Sequence, residues 1–194
     1  MDAIVLASSS PRRSELLSRT GIPFTVMPSG VDEDNAELHG TYSERVEQLA
    51  GMKALDVAKR VDGGIVLGAD TIVVCDGIAF GKPADENEAR KMLKSLSGRE
   101  HTVITRIALV NAENGVLIKG HEKTKVEIAQ LSAEDIDVYI ASGEPFDKAG
   151  AYAVQGRGAL FVKSIKGCYT NVVGLPLFKL RSMLREIGID PLSS

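Results

Sequence analysis

The chain has 194 residues, 44% hydrophobic and 25% charged, and its 23 basic and 26 acidic side chains leave a net charge of −3. That length suits one domain, with enough chain to bury a core unaided. The near balance of charge excludes a surface devoted to a nucleic acid polymer, although a few clustered cations would vanish in the sum. Taken in order, Ala3 to Ala7 reads as a short buried strand. A helix then starts at Pro11, with Ser10 as N-cap, Leu16 and Leu17 on its inner face and Gly21 closing it. A second helix spans Tyr42 to Arg60, with Val46, Leu49, Ala50, Ala54 and Val57 in phase. Ile65 to Cys75 is an apolar run interrupted by Gly68 and Asp70, and Asp76-Gly77 turns the chain. The third helix follows Pro83, with a capping pair at Asp85 and Glu88, a face of Ala89, Met92, Leu93 and Leu96, and an end at Gly98. His101 to Val110 is a strand, and Asn114-Gly115 turns it into a short strand near Val116 to Ile118. Lys123 to Ile128 alternates as a separate half-exposed strand, and Ser132 caps a fourth helix ending near Ser142-Gly143. The Gly-rich segment 143–158 leads to a strand at Ala159 to Ile165. A loop from Gly167 to Pro176 then precedes a terminal helix, Leu177 to Ile187, closed by Gly188, and Pro191 to Ser194 reads as a frayed tail. Alternating helices and strands, with both hairpins and crossovers, predict an α/β fold with a mixed sheet flanked by helices.

Cys75 and Cys168 fit neither a zinc motif nor a disulfide framework. With no basic leader and no apolar run of roughly 18 residues, they point to a cytoplasmic protein that does not enter a membrane.

A few residues break local rules. Arg12 and Arg13 lie in the first turn of the first helix, where the dipole disfavours cations unless an anion binds there. With the serines Ser8 to Ser10 they read as a phosphate cradle. Lys53 falls on the apolar phase of the second helix, so it must snorkel or meet a counter-charge. Asp70 sits inside an apolar strand, where a carboxylate is costly unless paired or metal-bound. Gly81-Lys82-Pro83 is no P-loop, but Lys82 can meet a phosphate as a point charge. Gly156-Arg157-Gly158 is a weak glycine pattern, and His39, His101 and His121 lack ligand spacing. The acidic run Asp32-Glu33-Asp34 reads as a solvated loop or as oxygen ligands for a hard divalent ion.

Several longer segments carry a resemblance. LASSSPRR (Leu6 to Arg13), GADTIV (Gly68 to Val73), GKP (Gly81 to Pro83), SGEPFDKAGAY (Ser142 to Tyr152), QG (Gln155-Gly156) and NVVGLP (Asn171 to Pro176) resemble the Maf family of nucleoside triphosphate pyrophosphatases, end to end and in register. The resemblance implies one domain over residues 1–194 with an elongated, two-lobed α/β fold like that of the inosine triphosphate pyrophosphatases and an active cleft between the lobes. It implies hydrolysis of a nucleoside triphosphate to the monophosphate and pyrophosphate, with a divalent cation (Mg²⁺ or Mn²⁺), in a homodimer. Position by position, Asp70 matches the general base. Ser8, Arg13, Lys53 and Lys82 match phosphate contacts, Glu33 with Asp70 matches the metal side, and Asp147 and Lys148 fall in a cleft-lining loop. Arg12, Thr71 and Gln155 match the positions that separate a group preferring dTTP and UTP from one preferring 7-methyl-GTP. Neutral Thr71 and Gln155 fit the first group, because an amide both donates and accepts along the uracil or thymine edge, whereas a carboxylate only accepts. Two other readings compete: a 7-methyl-GTP-preferring pyrophosphatase, and a nucleotide-sensing regulator of cell division with little turnover.

Overall fold

The structure, a computed structural model, describes residues 3–33 and 35–192. Asp34 of the acidic run and Ser193 and Ser194 of the tail lie outside them. The strands are β1 (Ile4–Leu6), β2 (Phe24–Val26), β3 (Ile65–Cys75), β4 (Ile78–Phe80), β5 (Glu100–Asn111), β6 (Leu117–Ile128) and β7 (Val162–Lys166). The helices are α1 (Pro11–Ser18), α2 (Tyr42–Ala58), α3 (Glu86–Leu96), α4 (Ala133–Ala141), α5 (Tyr169–Val173) and α6 (Leu177–Glu186). The sheet has seven strands among the described residues, in the order β2-β1-β3-β5-β6-β7, with β4 paired to β3. It is mixed: β1 is parallel to β2 and β3, while β4 runs antiparallel to β3 and β7 to β6. No helix of the described residues is long and apolar enough to cross a membrane.

The chain divides into two compact units. The first holds the described residues up to Asp70, Thr105–Glu122 and those from Gly174 onward. Its core joins Val5, Ala7 and Val66 of the sheet region to Ala50, Ala54 and Val57 of α2, with Ala108 and Val110 from β5. The helix is held at its start by a capping box, in which Thr41 and Glu44 satisfy each other's backbone amides. Arg106 of β5 donates to Glu47 Oε2 at 2.7 Å and to Ser43 Oγ at 2.6 Å.

The second unit comprises Thr71–Ile104 and Lys123–Val173. Asp85 caps α3, and Ser132 with Asp135 forms a capping box on α4. The Asp76-Gly77 turn has positive φ at both residues, as a two-residue hairpin requires, and it joins β3 to β4.

Four local expectations need correction. The two strands read at 116–118 and 123–128 are one strand, β6; Gly120 does not break it but leaves room for Met183 and Lys179 of α6, which a Cβ there would strike. The strand read from Ala159 begins only at Val162, because Gly156–Phe161 forms a 3₁₀ turn. The loop 167–176 contains α5, pinned by Thr124 Oγ1, which accepts from Cys168 N at 3.1 Å and from Asn171 Nδ2 at 2.9 Å. Ser10 occupies the N-cap of α1, but its hydroxyl makes no capping bond. The short strand β2 carried too few residues for any alternation to show.

In the second unit His101 is buried, with Nε2 at 2.6 Å from Tyr152 Oη and the rings packed edge to face. Burial pulls its pKa down to about 4, against a small opposing pull from Glu100. The unfolded chain takes up this proton near the usual value of about 6.5. Acid therefore favours the unfolded state from about pH 6.5 down to pH 4, by about 3 kcal/mol in all. Unfolding free energy measured across that window is expected to fall, and the fall to shrink by that amount in His101→Asn; an unchanged slope would exclude His101 as its source.

Candidate active site

The site is built from a glycine outward. A Cβ at Gly68 of β3 would overlap the carbonyl oxygen of Ala50 and lie 2.9 Å from Ala54 N, so the α2 backbone rests directly on the strand there. Alternation puts Asp70 on the same strand face as Gly68. Lys53 lies between Ala50 and Ala54 on the helix, and its Nζ donates to Asp70 Oδ1 at 2.8 Å. The lysine side chain is 7% exposed and the aspartate 15%. Lys53 thus does not snorkel; it meets a counter-charge. Asp70 lies in the interior of β3, with five strand residues on either side.

A second carboxylate reaches the same ammonium: Glu33 Oε1 is 2.9 Å from Lys53 Nζ and 43% exposed. Glu33 follows β2 on a segment that α2 also holds. Arg60 donates to Pro28 O at 2.9 Å and to Asp56 Oδ2 at 2.8 Å, and the same Asp56 oxygen accepts from Gly30 N at 2.8 Å. Asp32, beside Glu33, accepts from the Asn35 backbone at 3.2 Å and from its side chain at 2.8 Å.

Ser8 and Arg13 form the other half of this cluster. Arg13 is buried, with Nε donating to Gly174 O at 2.8 Å and Nη1 to Ser8 Oγ at 3.0 Å. Ser8 Oγ also accepts from Ser10 N at 3.2 Å, so both lone pairs are engaged and the hydroxyl proton is left to donate. Burial lowers the Arg13 pKa from its ordinary value, the charges of Asp70 and Glu33 oppose that, and Arg12 adds to it. Arg12 is half-buried on the first turn of α1. The first unit therefore brings together Ser8, Arg13, Glu33, Lys53 and Asp70.

The other expected residues belong to the second unit. Thr71 follows Asp70 along β3, and alternation sends its side chain to the opposite face. Lys82 is exposed between β4 and α3, beside Gly81, whose carbonyl accepts from Gly150 N at 2.9 Å. Gln155 is half-buried just before the 3₁₀ turn Gly156–Phe161. Lys148 donates to Glu144 O and pairs with Asp147.

Glu144 escaped the sequence reading. Its carboxylate accepts from Arg157 N and Gly158 N, both at 3.0 Å, and from the Tyr139 hydroxyl at 2.9 Å. Burial pushes its carboxyl up, but these bonds outweigh it and hold the pKa below the usual range. The Gly156-Arg157-Gly158 pattern is thus an anion-binding nest filled by the protein's own carboxylate. The only signal was the position of Glu144 between glycines in the SGEPFDKAGAY segment.

The described residues contain no group of three or more His, Cys, Asp or Glu side chains arranged to hold a metal. Glu33 and Asp70 nevertheless converge on one cation, here an ammonium. Two carboxylates suffice for Mg²⁺, which fills its remaining positions with phosphate oxygens and water.

The Maf-like protein family model matches residues 3–187. A protein of Ruminiclostridium cellulolyticum named dTTP/UTP pyrophosphatase is 53% identical over 188 residues, 97% of this chain and 97% of its own. A protein of the same name from Pelotomaculum thermopropionicum is 50% identical over 192 residues, 99% of this chain and 100% of its own. Among solved structures, a HAM1 protein from Coxiella burnetii overlays with a TM-score of 0.46 and 23% identity, over 68% of this chain and 75% of that one.

The close approach at Gly68 makes a direct test. Gly68→Ala must lift α2 from β3 and draw Lys53 away from Asp70, at a cost of about 1–3 kcal/mol in overpacking. Chemical denaturation is expected to show that loss. An unchanged midpoint would mean that the helix does not depend on the glycine.

Proposed function

The chain belongs to the Maf-like protein family, and from that premise we propose that it hydrolyses dTTP and UTP to the nucleoside monophosphate and pyrophosphate. One observation carries the reading: Asp70, a carboxylate set into an apolar strand, is paired through Oδ1 with a buried lysine beside a second carboxylate. Relatives about half identical over nearly their whole length, each named dTTP/UTP pyrophosphatase, support the substrate.

Phosphoryl chemistry asks a protein mainly for charge neutralisation, alignment and an oriented water. In the proposed reaction a water attacks the α-phosphorus, the bond to the bridging oxygen breaks, and pyrophosphate leaves with that oxygen. Asp70 Oδ2, not used by Lys53, accepts a hydrogen bond and then the proton from the attacking water. Arg13 meets phosphate with its guanidinium already held by Ser8 and Gly174, so little reorganisation is required when charge develops. The Ser8 hydroxyl donates to a phosphate oxygen. Glu33 and Asp70 would hold a divalent cation, Mg²⁺ or Mn²⁺, which when bound neutralises phosphate charge and lowers the pKa of a bound water.

The same reading assigns Lys82 to phosphate, and Arg12, Thr71 and Gln155 to base preference. Their match to the family's motif positions supports this. It treats the chain as one domain, because the polypeptide passes between its two units at residues 70/71, 104/105, 122/123 and 173/174. A homodimer in the cytoplasm, acting on free nucleotides, completes the proposal. Two free cysteines accord with a reducing compartment.

Pyrophosphate release from dTTP with Mg²⁺ tests the reaction. Asp70→Asn is expected to lower kcat by about 10²–10⁴-fold, the contribution of a positioned base. A wild-type protein that binds dTTP and releases no pyrophosphate would overturn the proposal. For base preference, kcat/KM for dTTP and UTP should exceed that for 7-methyl-GTP, and Gln155→Glu should cut the UTP value by about tenfold or more. Equal or better use of 7-methyl-GTP by the wild type would reverse the assignment.

A further inference from the structure

Lys53 Nζ lies 2.8 Å from Asp70 Oδ1 and 2.9 Å from Glu33 Oε1, so one ammonium engages both carboxylates that would take a divalent ion. We propose that Lys53 is the resident cation of this pair, and that a divalent ion is held firmly only when Lys53 gives up that place for a phosphate of the nucleotide. This rests on the pyrophosphatase reading above.

The argument is one of charge and space. The lysine side chain is buried, so it cannot leave its partners for bulk water without moving its head group, and an ammonium in a partly buried site requires an anionic partner. Arg13, which lies within electrostatic reach of both Asp70 and Glu33, already adds a positive charge to the neighbourhood. A divalent ion entering beside Lys53 and Arg13 would meet two fixed cations and find one oxygen of each carboxylate occupied. A nucleotide triphosphate removes the conflict. Its oxygens give Lys53 a new partner, which the four-carbon stem can follow, and they supply ligands to the ion. Metal and nucleotide then strengthen each other's binding, and each must do so by the same factor. Lys53 is therefore assigned two successive partners, the carboxylate pair in the free protein and phosphate in the complex.

Mn²⁺ binding to the nucleotide-free protein tests this by a route that needs no turnover. Free Mn²⁺ is measured by electron paramagnetic resonance against wild type and Lys53→Met. The variant is expected to bind Mn²⁺ about tenfold or more tightly than wild type, the scale on which close charge pairs couple. Equal or weaker binding by a folded variant, checked by circular dichroism, would overturn the proposal. The wild-type protein supplies an independent readout if the variant fails to fold. Acylation of Lys53 by an amine-reactive reagent, quantified by mass spectrometry, should rise when Mn²⁺ concentrations high enough to fill the site are added. No rise while Mn²⁺ is bound overturns it as well. Pyrophosphate release from dTTP is assayed separately. Its absence defeats the functional reading and leaves the Mn²⁺ competition standing, whereas intact release with no competition defeats only the role given to Lys53.

Discussion

Lys53 shares the inner face of α2 with Ala50, Ala54 and Val57, which are wholly buried, and an ammonium can stay there only with anionic partners in hydrogen-bond reach. That requirement orders much of the first unit. Asp70 must project from the strand toward the helix, which fixes the strand's phase. The helix must come close enough for a lysine to reach it, which requires the missing side chain at Gly68. Glu33 must return to the same point from a loop, which Asp56 and Arg60 anchor near the C-terminal end of α2. One helix therefore carries the cation and positions both of its counter-charges, directly or through the segment that precedes them.

Arg13 and Glu144 follow the same logic with opposite signs. Arg13 is buried, yet a backbone carbonyl and a hydroxyl satisfy its donors, and two nearby carboxylates oppose the desolvation that lowers its pKa. Glu144 in the second unit is drawn into the structure by two backbone amides and a tyrosine hydroxyl, which keep it ionised in spite of burial. Each charge is fixed by its own partners before any ligand arrives, a precondition for electrostatic catalysis without reorganisation. It also separates residues that hold a loop from residues that can meet substrate: Glu144 spends its oxygens on the 3₁₀ turn after Gln155.

Much of this was legible in the residues. Helices α2 and α3 announced themselves through periodic apolar faces, α4 through its Ser132 cap and α6 through the glycine that closes it, and the apolar run Ile65–Cys75 matched β3 at both ends because it closed on an Asp-Gly turn. Lys53 and Asp70 were visible as violations, a cation on an apolar helix phase and a carboxylate in an apolar strand. Their mutual contact was not visible, since it depends on how closely the helix approaches β3. Gly68 read as an interruption of the strand when it is the condition for that approach. Among the residues that fasten loops, Glu144 was marked only by its place between glycines, and Asn171 and Thr124 carried no local signal of what they hold. Apart from Tyr139, five residues before Glu144, the partners named lie at sequence separations of 13 to 68 residues, and no periodicity carries information over such distances. The family segments covered Glu144 and Asn171 without saying what they hold.

The overall charge of −3 is a poor guide to what the site offers an anion. Within the cluster, the positive charges of Arg13 and Lys53 are matched by Glu33 and Asp70, so a triphosphate, the substrate proposed above, would meet little net positive charge in that group. A surface of uncompensated cations would bind phosphate more strongly, but it would bind the pyrophosphate product equally well and would destabilise the fold by self-repulsion. Internal pairing avoids both outcomes. Arg13 keeps the partners that hold it, Ser8 and Gly174, and on the reading proposed above the engagement of Lys53 with substrate is an exchange of partners rather than a simple attraction. An exchange responds to what replaces the lost partner. The arrangement therefore favours ligands that bring both anionic oxygens for the cations and a counter-ion for the carboxylates over a bare anion.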